Sequence, residues 1–166
     1  MIEFYKDSEI VLINTSEIIG IVRRALSKID PRLIDHGERV GYIALKICEH
    51  CGQCAEIDLS RLFILCVLHD IGAYKTEEID NMVQFEVDSV FDHSLYGYLF
   101  LKSTNHLSQF ADALLYHHTD YTSPLLQTCN CSKYAQLIHL ADRVDVLLSS
   151  GSSDLSQLRQ LSGTQF

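Results

Sequence analysis

The sequence predicts an all-α domain, a bundle of helices packed around one core. Three observations lead there. Apolar residues recur at three- and four-residue spacing along nearly the whole chain. Each such stretch is bounded by residues that cap or break helices. The length of 166 residues, 47% of them apolar, is enough for one domain with a substantial core.

Taken in order, Thr15 or Ser16 can cap a first helix running to about Lys28, with Ile18, Ile19, Val22 and Leu26 on one face. Asp30-Pro31 breaks the chain and restarts it, because proline suits a first helical turn. The second helix spans Arg32 to Glu49, with Leu33, His36, Val40, Ile43, Ala44 and Ile47 in one stripe and Gly52 just past its end. Asp58 or Ser60 opens a third through LSRLFILCVLHDIG, which Gly72 ends. The connector KTEEIDNM is polar, and VQFEVDSVF alternates slightly, as a short strand or a loop would. A fourth helix covers Asp92 to Thr104 and a fifth Ser108 to His118. Residues 119–131 read as a loop around one of the two prolines. A sixth helix, Ser132 to Leu148, carries Leu137, Ile138, Ala141, Val144 and Leu148. The tail SSGSSDLSQLRQ is a Ser/Gly linker followed by a helix start. No internal repeat is visible.

Composition excludes several functions. The 13 basic and 22 acidic residues leave a net charge of −9, which argues against binding polymeric nucleic acid through a basic face. A phosphorylated small molecule is not excluded, since bound cations reverse a local field. No apolar run reaches the ~18–20 residues of a membrane span. MIEFYKDSEIVLINTSE lacks the features of a signal peptide, so a cytoplasmic location is expected. The six cysteines, Cys48, Cys51, Cys54, Cys66, Cys129 and Cys131, then read as reduced thiols. A structural zinc would need four ligands together, and Cys129 and Cys131 are remote in sequence from the others.

The chemistry is concentrated in seven residues: His36, His69, Asp70, His93, His117, His118 and Asp142. Each sits on an apolar stripe or at a helix end, and helical bundles build metal sites from such inward-facing side chains. Imidazole and carboxylate together suit borderline divalent ions such as iron, manganese and zinc. One carboxylate can bridge two ions, and a pair ~3.5–4 Å apart can share a hydroxide and clamp a phosphoryl group. On a helix, His117 and His118 diverge by about a quarter turn or more, which would aim them at different ions. A lone histidine at a helix end is more often a cap, and His50, His106 and His139 are read that way. The metal reading rests on the ordered combination.

That combination resembles the HD superfamily of metal-dependent phosphohydrolases: His36 in DHGERV, His69-Asp70 in LHDIG and Asp142 in LADRVDVL. His93 in FDHSLYGYLFL and the doublet in LLYHHTD resemble its HD-GYP branch, whose members cleave cyclic di-GMP with two or three metals, often iron. The resemblance covers about residues 16 to 166 and implies an HD-domain bundle with a metal site between the helices. The chain reads as a single HD domain over 1–166, its core at 16–150. LRQLSGTQF resembles the start of a further helix in the branch, which implies a C-terminal truncation. Three places depart from the branch pattern. Ala73 follows HDIG where a lysine is usual, with Lys75 two residues on. HHTDYTSP replaces the Gly-Tyr-Pro loop, and Arg32 stands where trinuclear members carry a glutamate.

The resemblance therefore implies hydrolysis of a phosphodiester or nucleotide by a two-metal-activated hydroxide, with Asp70 bridging as the catalytic carboxylate. Cyclic di-GMP is one candidate substrate. The expected cofactor is two divalent ions, iron or manganese ahead of zinc, nickel or magnesium. Lys75, Arg39 and Arg143 are candidate phosphate clamps but read first as solvated side chains. The expected partners are a phosphorylated small molecule or nucleotide and other domains of a longer chain, with no membrane and no polymeric nucleic acid. The alternative is a non-catalytic signalling or ligand-binding module that keeps its metal site.

Overall fold

A computed structural model describes residues 2–6, 9–13, 20, 23, 24, 28, 31–73, 90–104 and 106–150. Two short strands come first, β1 (Ile2–Lys6) and β2 (Glu9–Ile13). They pair antiparallel, with Ile2 opposite Ile13 and Lys6 opposite Glu9. The segments IEFYK and EIVLI are rich in β-branched and aromatic residues, which favour strands. The sequence reading had not anticipated this hairpin. It precedes the helical domain and does not alter its class.

The rest of the described chain is helical: α1 (Pro31–His50), α2 (Leu59–Leu68), α3 (Val90–Lys102), α4 (Ala111–Leu115), α5 (Pro124–Thr128) and α6 (Ser132–Ser149). Single 3-10 turns lie at Gly52–Cys54 and Ser108–Phe110. Helix α1 is the spine, packing along both α2 and α6, while α3 packs on α4. Asp58 caps α2 by accepting the Arg61 backbone N–H at 3.0 Å. Helix α2 is buried on nearly every face, from Leu62 to Leu68, so its apolar run is continuous rather than striped. Val40, Ala44, Leu62, Leu65, Leu101, Leu114 and Ile138 meet in the core it supplies.

Three predicted elements change. The fifth helix, expected to reach His118, stops at Leu115, and the doublet occupies the turn that follows. The loop at 119–131 contains α5, which starts with Pro124 in its first turn, where the missing N–H costs nothing. Gly72 does not simply end a helix, since α2 ends at Leu68 and a tight turn over residues 69–72 follows. The predicted first helix lies mostly outside the described residues, with Gly20, Arg23 and Arg24 helical within it. The connector KTEEIDNM with Lys75, most of VQFEVDSVF and the tail also lie outside them. Among the described residues, no helix is long and apolar enough to cross a membrane.

Candidate metal centre

Five separate stretches deliver the seven residues to one place. His36 comes from the second turn of α1, His69 and Asp70 from the turn closing α2, His93 from the start of α3, His117 and His118 from the turn after α4, and Asp142 from the middle of α6. His69, Asp70, His93, His117 and Asp142 are buried, and His36 and His118 are partly so. They form two groups. His36, His69 and Asp142 make one, and Asp70, His93, His117 and His118 make the other.

Helix ends explain much of the aim. The last carbonyls of a helix lack intrahelical partners. His69 donates Nδ1–H to the carbonyl oxygen of Cys66 at 2.6 Å, and His117 donates to that of Leu114 at 2.6 Å. A carbonyl can only accept, so both rings carry the proton on Nδ1 and turn the Nε2 lone pair inward. At His36 the same job falls to a carboxylate: Nδ1 donates to Asp145 Oδ2 at 2.8 Å.

Asp70 lies between the groups. Its Oδ2 is 3.0 Å from His69 Nε2 and 3.5 Å from His36 Nε2. Its Oδ1 is 3.6 Å from His93 Nε2 and 3.9 Å from His117 Nε2. His36 Nε2 is also 3.2 Å from Asp142 Oδ1, and the Nε2 atoms of His93 and His118 are 3.0 Å apart. Ligand atoms ~2.1 Å from a shared ion lie about 3.0 Å apart at a right angle and about 3.4 Å apart at a tetrahedral one. Most of these separations fit shared ions. His69 Nε2, Asp70 Oδ1 and His117 Nε2 are buried without a hydrogen-bond partner among the described residues, a costly state that a divalent ion would relieve. The residues therefore fit divalent cations.

Protonation fits a ligand role at the two carboxylates and the doublet, whereas at His69 burial is outweighed by the adjacent Asp70, which raises the imidazole pKa. Burial alone would raise the Asp70 pKa, but the surrounding imidazoles, His69 first, hold it well below the usual carboxylate range. Asp142 is likewise buried, yet His36 and His69 bring it down to about 2. Burial lowers His118 to about 3 and takes His117 well below its ordinary value, so both are neutral. His36 differs. Burial opposes its charge, but hydrogen bonds to Asp142 and Asp145 and the nearby Asp70 outweigh that and raise it to about 10.

The doublet departs from expectation. His117 and His118 join the same group, with ring centroids 3.9 Å apart. The helical divergence assumed for them does not apply, because they sit in a turn. Two of the three candidate phosphate clamps are engaged by other groups of the protein. Arg39 forks onto Asp145, with Nε to Oδ1 at 2.7 Å and Nη2 to Oδ2 at 2.9 Å. Arg143 Nη2 lies 3.2 Å from His118 Nδ1. His139, read as an ordinary cap, donates Nδ1–H to the His117 carbonyl oxygen at 2.6 Å. Sequence reasoning missed Asp145 altogether. Its signal was spacing: Asp142 and Asp145, like His36 and Arg39, are three residues apart and so share a helix face.

The cysteines form no cation site with three ligands among the described residues, and all six are free thiols. A cavity of about 640 Å³ opens between the 3-10 turn at Gly52–Cys54, the segment after the doublet and α6. Its walls include Tyr116, Tyr121, Leu137 and His139 but none of the seven residues, so it is separate from the metal centre.

Residues 33–147 match the HD domain family model, a span running from the turn of α1 before His36 to α6 beyond Asp142. The chain belongs to the HD domain family. The matched span contains all seven residues whose order carries the HD resemblance. It is also similar to 3'3'-cGAMP-specific phosphodiesterase 1 of Vibrio cholerae serotype O1, at 32% identity over 138 residues, or 81% of this chain. The aligned region is 32% of that relative, so the chain spans about a third of its length. No solved structure gave a significant match.

Proposed function

We propose that this domain hydrolyses a phosphodiester bond in a nucleotide, with a cyclic dinucleotide as the substrate class, and that two divalent ions serve it. The observation that carries this reading is the position of Asp70, which presents one oxygen to each group of imidazoles. His36, His69 and Asp142 would hold one ion and His93, His117 and His118 the other, with Asp70 common to both. When bound, the ions would activate water for attack on phosphorus and offset charge on the phosphoryl oxygens. Mixed nitrogen and oxygen donors suit iron or manganese. The protein's part is to keep His117 and His118 neutral, fix the tautomers of His69, His117 and His36 through Cys66, Leu114 and Asp145, and exclude bulk water by burial. A cytoplasmic second-messenger substrate is consistent with the net charge of −9, since the ions and not a basic surface would attract it.

The substrate class comes from the name of the Vibrio relative and from the HD-GYP-like motifs. Protein loaded with manganese or ferrous iron should convert 3'3'-cGAMP or cyclic di-GMP to a linear dinucleotide or mononucleotides, read by chromatography. Asp70→Ala should lose both bound metal and turnover. Undiminished turnover by that variant, or by metal-stripped wild type, would sink the reading. Tight nucleotide binding with no hydrolysis under any metal would favour a non-catalytic module, a reading that Ala73 and the HHTDYTSP segment also support.

A further inference from the structure

The two groups differ in what stands behind them. Behind His36 stands Asp145, 3% exposed, taking the Nδ1–H at 2.8 Å on Oδ2. Asp145 is itself held by the two-pronged contact from Arg39, which lies three residues beyond His36 on α1. Asp145 lies three residues beyond Asp142 on α6, so one clamp joins the two helices that supply His36 and Asp142. A carboxylate behind a ligating histidine fixes its tautomer and raises its basicity. Behind His117 and His118 stand weaker or opposing partners. His117, like His69 in the first group, has a backbone carbonyl, and His118 has the Arg143 guanidinium 3.2 Å from Nδ1. A guanidinium carries a fixed positive charge and can only donate. It disfavours a cation nearby and offers no acceptor to a proton on Nδ1.

We propose that Asp145, gripped by Arg39, is the positioning residue that aims His36, and that it makes the His36–His69–Asp142 group the tighter of two unequal ion sites. The inference rests on the two-ion reading above. Its consequence is ordered loading: the first equivalent of metal enters beside His36, and the second binds more weakly beside His118.

Manganese titration of the metal-stripped full chain, read by the electron paramagnetic resonance signal of free Mn(II), resolves the classes without any substrate. Wild type should show a tight and a weak class. Asp145→Leu should weaken the tight class by about 10–100-fold and leave the weak class within about twofold. Asp145→Asn keeps an acceptor oxygen and should fall between. Arg39→Lys acts from a half-exposed position, so it should fold even if the buried variants do not. It should weaken the tight class by less, because an ammonium cannot make the two-pronged contact. A folded Asp145→Leu or Arg39→Lys with both classes unchanged would overturn the proposal while leaving the two-ion reading intact. So would equal loss in both classes. A wild type that binds no ion at all would overturn both together.

Discussion

Buried polar side chains in this domain have their freedom removed one atom at a time. His69 and His117 each lose one nitrogen to a helix-end carbonyl, so the other nitrogen has a single possible role. The thiols show the opposite outcome of burial. Cys66 is fully buried and its thiol is pushed up, while Cys48 is pushed up to about 12 by burial and by the neighbouring Cys54 thiol. Thiolate is the reactive form. Raised thiol values mean fewer thiolates at any pH below them, so little Cys48 is thiolate at pH 8. Folded protein treated with iodoacetamide at pH 8 should leave Cys48 and Cys66 unmodified by peptide mass spectrometry. Labelling of Cys48 should rise about tenfold per pH unit above that. Rapid labelling of Cys48 at pH 8 would show that its environment is not as described.

At the scale of elements, the turn after α2 must press against α3 for Asp70 and His93 to meet. Gly72 permits this. A Cβ there would stand 2.0 Å from the His93 carbonyl oxygen and 2.7 Å from the Gly97 nitrogen, both backbone atoms that cannot step aside. Gly37 does the same for the crossing of α1 and α2, where a Cβ would be 3.0 Å from Val67 backbone atoms. Gly72→Ala should cost about 1–3 kcal/mol or more from overpacking. It should also separate His93 from Asp70, so bound metal should fall along with the melting temperature. Unchanged metal content by elemental analysis would contradict this. The motif HDIG thus reads differently once folded: its glycine is a spacer between two elements more than a helix terminator.

For the whole molecule, an ion at this centre would tie α1, α2, α3, the turn after α4 and α6 together. A ligand that binds only the folded state stabilises it, by about 2.7 kcal/mol at a hundred times its dissociation constant. For a chain of this size that raises the melting temperature by about 5–10 °C. Thermal melts in manganese and in excess chelator should differ by that order, and coincident melts would argue against a centre shared by these elements. The converging carboxylates and imidazoles explain the direction, since their buried lone pairs are costly until an ion takes them.

The helical class, the seven candidate residues and the HD resemblance were legible in the sequence, because helix periodicity and local motif order are properties of neighbouring residues. Asp58 as a cap and the span of α6 were legible for the same reason. The partition of the seven into two groups was not, since it depends on where α4 stops and on how the turn carrying His117 and His118 bends. Neither was the Asp145–Arg39 clamp, whose partners are 106 residues apart and meet only because α1 and α6 pack together. Sequence determined which side chains could bind a cation. Only the tertiary structure decided which of them converge, because that is set by distances of a few ångströms between elements remote along the chain.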